Sequence, residues 1–118
     1  MAKTKVPAQV FQLKITLNDI KPPVWRRVQV KDCTLAKLHQ VIQVGMGWTN
    51  SHLHSFSIGD RTFGMAEVDD FEELDMLDER KQTLAATLGE SIREFIYEYD
   101  FGDSWRCRIA AKPLARVH

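Results

Sequence analysis

Apolar and polar residues alternate from Val10 onward, with Phe11, Leu13, Ile15 and Leu17 set against Val10, Gln12 and Lys14. Period two is the signature of a strand with one buried face, and the run predicts a first strand over Val10–Ile20. Lys21-Pro22-Pro23 breaks it, because proline removes an amide donor and fixes φ. A second strand follows over Val24–Val30, with Val24, Val28 and Val30 on one side and Trp25, Arg27 and Gln29 on the other. Arg26 falls on the apolar side, so it either lies at the sheet margin or meets a buried carboxylate. The period then changes. Thr34 suits an N-cap, Leu35, Leu38, Val41, Ile42 and Met46 recur at helical spacing, and Gly45 and Gly47 mark the helix end. This helix is expected to lay its stripe on the sheet, with His39 off the stripe and facing solvent.

Trp48–Ser51 reads as a loop, His52–Ile58 as a third strand, Gly59-Asp60 as a tight turn and Arg61–Gly64 as a short fourth strand. Phe71, Leu74 and Leu77, three apart in an acidic stretch, suit either a weak helix or a loop. Thr83 caps a helical turn through Leu88, closed by Gly89. Two aromatic-rich strands follow, over Ile92–Asp100 and Trp105–Lys112, with Pro113 ending the regular structure. Phe95, Tyr97 and Tyr99 share a face with Trp105, Cys107 and Ile109 only if paired residue numbers sum to an even value. The connecting loop is therefore odd, three or five residues long, with Gly102 at its positive-φ position. On the other face Glu94 and Glu98 come opposite or diagonal to Arg106 and Arg108.

Strands that arrive as hairpins predict a single α+β domain over residues 1–118. Its sheet is expected to be mostly antiparallel, with about six strands and one main helix plus one or two short helices on one face. A chain of 118 residues, 44% apolar and 27% charged, can bury one core without staples. No apolar run approaches a membrane span and no signal-peptide core follows Met1, which points to the cytoplasm. Cys33 and Cys107 lie far apart without a CxxC, as reduced thiols do; a bridge between them is the alternative. The formal charge is zero, but eight of the sixteen acids fall between Glu67 and Glu79 with no base among them. The remainder carries sixteen bases against eight acids; the zero total argues against nucleic-acid binding, and the segregation partly restores it.

Two constellations carry candidate chemistry. His52 and His54, two apart on a strand, point to one face as a pair of metal ligands would, and Asp100 and Asp103 at the mouth of the last hairpin would add carboxylates. That set suits zinc, manganese or iron. Its plainer counterpart is a pair of hydrogen-bonded histidines at the sheet margin and aspartates capping a turn. Trp25, Arg26, Arg27, Arg106 and Arg108 form the second set, a basic and aromatic platform for nucleic acid, which Tyr97, Tyr99 and Trp105 join unless they are core. Neither cysteine has a histidine at a defined spacing for nucleophilic catalysis, and the scattered glycines form no phosphate loop.

Three clusters together resemble one family: Pro23-Val24-Trp25-Arg26-Arg27, His52-Leu53-His54-Ser55-Phe56, and Tyr97-Glu98-Tyr99-Asp100-Phe101-Gly102-Asp103-Ser104-Trp105. In this order, with an acidic segment between the second and third, they are similar to the plasmid pRiA ORF-3-like family across residues 10–112. The resemblance implies an α+β fold with an antiparallel sheet and an association with plasmids or mobile elements, without a settled activity. Members usually continue past the last strand into a Gly-, Pro- and acid-containing segment, whereas this sequence stops at His118; a site built partly from that segment is expected to be altered. No recombinase constellation is legible. The expectation is a non-enzymatic binding or accessory domain, contacting nucleic acid or a protein. The alternative is a metal-dependent hydrolase, and a third reading is self-assembly through an exposed sheet edge.

Overall fold

In a computed structural model, the described residues are 9–18, 20–48, 53–64, 76–99 and 105–114. They form seven strands: β1 (Val10–Leu17), β2 (Val24–Lys31), β3 (His54–Ile58), β4 (Arg61–Gly64), β5 (Met76–Asp78), β6 (Glu94–Tyr99) and β7 (Trp105–Leu114). Two helices, α1 (Leu35–Met46) and α2 (Leu84–Leu88), accompany them with a 3-10 turn at Glu79–Lys81. The sheet order is β2-β1-β7-β6-β3-β4-β5.

The β6–β7 hairpin pairs Tyr99 with Trp105 and Phe95 with Ile109, so the residue numbers sum to an even value and the loop is five residues long. Its residues 100–104, including Gly102, lie outside the described residues. Glu98 faces Arg106 directly, and Glu94 pairs with Ala110, diagonal to Arg108.

One face of the sheet builds the core. Phe11, Leu13, Ile15 and Leu17 of β1, Phe95, Tyr97 and Tyr99 of β6, and Cys107 and Ile109 of β7 are all buried on it. Leu35, Leu38 and Ile42 of α1, with Leu84 and Leu88 of α2, cover them. Trp105 packs against this cluster and Tyr99 stacks on Trp48 at 4.9 Å, so three of the platform aromatics belong to the core.

Caps behave as the sequence implies. Thr34 accepts the Lys37 amide, Thr83 accepts the Ala86 amide, and Gly47 turns left-handed (φ 72°) to end α1. The two helix N-termini are also tied together, by Leu35 N–H to Gln82 O at 2.9 Å and Leu84 N–H to Cys33 O at 2.8 Å.

Several expectations need correction. The strands number seven rather than six, and the sheet is mixed, because β5 pairs parallel with β4. The missed strand lies at the end of the acidic stretch, where three residues are too short to show a period and aspartate disfavours strands. Phe71 and Leu74 of the helix-or-loop reading lie outside the described residues, and Met76–Asp78 with Glu79–Lys81 forms a strand and a 3-10 turn. Pro113 does not end β7. Ala111 donates its amide to Arg93 O, on the β6 side, so the missing N–H of Pro113 points the same way, beyond the end of β6, and no ladder bond is lost. Arg26 lies at the margin: it sits exposed on edge strand β2, its Nη1 donating to Trp25 O at 2.8 Å.

Candidate functional site

His39 is the largest correction, since it is buried rather than solvent-facing. Leu35, Leu38, His39, Ile42 and Gln43 make one inward stripe at i, i+3, i+4, i+7 and i+8, and two of its five members are polar. Gln43 Nε2 donates to Tyr97 Oη at 2.9 Å, and His39 Nδ1 lies 2.6 Å from the same oxygen. The Tyr97 hydroxyl must place its own proton, and with Gln43 donating to it, His39 Nδ1 is its acceptor. Burial pushes the Tyr97 phenol far up, so it stays a neutral donor.

Against His39 lies His54, with ring centroids 3.5 Å apart and planes 7° from parallel. His54 Nε2 donates to Glu79 Oε1 at 2.7 Å, and both side chains are almost fully buried. His54 Nδ1 is buried with no hydrogen-bond partner among the described residues. Glu79 owes its inward direction to the 3-10 turn. Asp78 caps that turn by accepting the Arg80 amide at 2.9 Å, and Arg80 Nε, 3.2 Å away, holds the half-buried Asp78 carboxyl below its usual range. Helix α1, strands β3 and β6 and the 3-10 turn thus converge on one buried polar cluster.

Of the four candidate metal ligands, His54 is buried on the core face of an inner strand rather than at the sheet margin, hydrogen-bonded to Glu79. His52, Asp100 and Asp103 lie outside the described residues. Among the described residues no three His, Cys, Asp or Glu side chains converge so as to hold a metal ion.

The opposite face of the sheet is covered by neither helix. Alternation puts Trp25 and Arg27 of β2, Lys14 of β1, and Arg106, Arg108 and Lys112 of β7 on it, all but Trp25 cationic and all exposed. Four of the five platform residues therefore share a face, and Arg26 is on the other. Arg27 lies directly opposite Lys14, while Trp25, Thr16 and Arg108 form one row across three strands. The Trp25 ring, 44% exposed, holds Lys14 Nζ at 5.1 Å and Arg27 Cζ at 5.3 Å. Glu94 and Glu98 share this face, yet none of these cations forms an ion pair with them among the described residues. A groove of about 410 Å³ opens beside Lys14, Arg27, Arg93 and Lys112, with Glu94 at its wall. The acidic stretch leaves β4 and re-enters at β5, the far edge of the sheet from these cations.

Both cysteines are free, and neither is set up as a nucleophile. Burial pushes the Cys107 thiol up to about 12 and raises that of Cys33 as well, which keeps both protonated. Unfolding exposes Cys107 to its ordinary value of 9.0, so its contribution to stability is intact below pH 9 and declines as pH rises towards 12. Each such group gives a limiting slope of about 1.4 kcal/mol per pH unit. Urea midpoints at pH 8, 10 and 11 should fall steadily for the wild type and less steeply for Cys107→Ala; equal slopes would contradict this assignment.

Comparison with known proteins places this geometry in company. Residues 9–117 match the family model described as plasmid pRiA4b ORF-3-like protein. The uncharacterized protein y4hQ of Sinorhizobium fredii is 40% identical over 103 residues, 86% of this chain and 53% of that protein. A crystal structure of a protein of unknown function from Methanosarcina mazei, MM3350, superposes with a TM-score of 0.82 at 32% identity. The match covers 96% of this chain and 65% of that one. The chain thus spans about half the length of the curated relative and under two thirds of the solved structure. Among the described residues no helix is long and apolar enough to cross a membrane.

Proposed function

The chain belongs to the plasmid pRiA4b ORF-3-like family, and we propose that it is a binding domain whose open sheet face receives single-stranded nucleic acid. The observation that carries this reading is the grouping of Lys14, Arg27, Arg106, Arg108 and Lys112 on one face that neither helix covers, with no ion-pair partners among the described residues. Cations placed directly opposite one another, as Arg27 and Lys14 are, repel in the free protein and gain when an anion lies between them. A flat β surface with an exposed tryptophan suits splayed bases better than a rigid duplex. An accessory role on plasmids or mobile elements accords with such binding.

The test is fluorescence anisotropy of a labelled 20-nucleotide single strand, and of its duplex, over a salt series. Phosphate contacts release counterions, so log affinity should fall linearly with log salt, by about 0.7 per contact for a single strand. Absence of binding at low salt, or binding indifferent to salt, would sink this reading.

A second reading, a hydrolase dependent on zinc or manganese, keeps His54 as its described ligand. Glu79 holds one imidazole nitrogen and the other has no partner among the described residues, and a carboxylate on the second nitrogen is how metal-ligating histidines are commonly oriented. His52, Asp100 and Asp103 would have to complete the set. Mass-spectrometric metal analysis of untagged protein decides it: stoichiometric metal lost on His54→Ala favours the hydrolase, and metal-free protein removes it.

A further inference from the structure

We infer that the open edge of β2, with the groove between β2 and α1, is a docking site for an extended peptide in which apolar and acidic residues alternate. The pairing phase of β2 follows from one hydrogen bond. Asp32 donates its amide to Gln9 O at 2.7 Å, so the even-numbered residues of β2 turn their backbone groups towards β1. Trp25, Arg27, Gln29 and Lys31 therefore turn theirs outward. Trp25 O is capped by the Arg26 guanidinium. The outward amides and carbonyls of Arg27, Gln29 and Lys31 have no hydrogen-bond partner among the described residues, and they stand ready to pair an eighth strand.

Beside this edge lies a groove of about 430 Å³, walled by Val28 of β2 and by Val41 and Val44 of α1. Val44 is 82% exposed and carries the apolar wall of the groove out to the surface. Gly45 forms the floor; a Cβ there would lie 3.9 Å from Val28 Cγ1, so helix and strand approach closely at this point. An edge strand flanked by a helix, with an apolar groove between them, is the arrangement by which strand addition gains both backbone bonds and side-chain pockets.

The charges identify the occupant. Arg26, Arg27 and Lys31 of β2 and Lys37 of α1 are exposed along this edge, β2 itself contains no acid, and none of the four forms an ion pair among the described residues. A second copy presenting its own β2 would bring arginine and lysine against arginine and lysine, which disfavours self-pairing. In an added strand, alternate side chains face opposite ways. One set would lie over Val28, Val41 and Val44, and the other beside Arg27 and Lys31. Apolar residues suit the first set and acids the second.

The experiment uses a labelled octapeptide of four valine–glutamate repeats, blocked at both ends, with anisotropy as the readout. Its controls are a block isomer, four valines then four glutamates, and a valine–lysine repeat. Two variants separate the elements of the site. Gln29→Pro removes an amide that points to the open edge, where proline is tolerated. Gly45→Leu fills the groove without changing charge. The alternating peptide should bind at least about ten-fold more tightly than either control, and each variant should lose about ten-fold or more. Gly45→Leu should leave oligonucleotide binding at the open face unchanged, so this site and the proposed nucleic-acid face fail or succeed separately. Absence of binding, equal binding of the block isomer, or wild-type affinity in Gln29→Pro would overturn the assignment. So would a concentration-dependent dimer in ultracentrifugation that Gln29→Pro abolishes, since the occupant would then be a second copy.

Discussion

Glu79→Ala should destabilise the protein by about 1–3 kcal/mol, the usual cost of leaving a buried polar group without its hydrogen-bond partner. The side chain is buried, and among the described residues its carboxylate is the hydrogen-bond partner of His54, whose Nδ1 has none there. Without Glu79 the imidazole would be enclosed with neither nitrogen bonded, stacked on His39, whose own Nδ1 is committed to Tyr97. Water cannot easily compensate, because both histidines are about 95% buried. Glu79→Gln sharpens the result. It keeps an acceptor oxygen but removes the charge, so a neutral His54 should lose only about 0.5–1.5 kcal/mol, the worth of an ordinary hydrogen bond. A protonated His54 would lose nearly as much as in Glu79→Ala, since a cation would be left enclosed without its counter-charge. Urea unfolding of the three proteins at pH 7 measures both differences. Wild-type stability in Glu79→Ala would mean that the cluster does not hold α1, β3 and the 3-10 turn together.

How much of this was legible in the sequence depends on length scale. Strands β1, β2, β6 and β7 are legible because eight or so alternating residues leave little choice of face, and the parity of Tyr99 and Trp105 restricts the hairpin to an odd loop, with three and five residues both open. Thr34, Thr83 and Gly47 likewise carry local signals that the fold does not override. The buried polar cluster was different. His39 and Gln43 sit at the correct helical spacing, but a reading that admits only apolar residues to the inward stripe discards them. Glu79 was hidden in a run of acids that looks uniformly solvated. Its partner is 25 positions away in sequence, and the parallel β4–β5 pairing together with the ties between the two helix N-termini brings the 3-10 turn under α1. The sheet face was half legible. Alternation alone separates Arg27, Arg106 and Arg108 from the core, but it also puts Arg26 on the opposite side, and grouping all four arginines ignored that parity.

That parity yields the second large effect. The triple variant Lys14→Ala, Arg27→Ala, Arg108→Ala should weaken single-strand binding roughly 10²–10³-fold at low salt, taking about 1–1.5 kcal/mol for each charge-assisted contact. It should also lower the slope of log affinity against log salt by about two, since each lost phosphate contact removes about 0.7. All three side chains are exposed and outside ion pairs among the described residues, so the melting temperature should barely move. A loss of affinity could not then be blamed on unfolding. Two controls carry opposite signs. Arg26→Ala, on the other face, should leave the affinity within about two-fold, because a side chain that does not reach the strand contributes only through the screened field. Glu94→Gln with Glu98→Gln should tighten binding, because both acids lie on the basic face beside Ala110 and Arg106. If Arg26→Ala weakens binding as much as Arg108→Ala, the contact follows net charge rather than the open face. If removing the two acids leaves affinity unchanged, the strand does not reach β6, and the contact must be confined to Arg27 and Lys14, which face each other across β2 and β1.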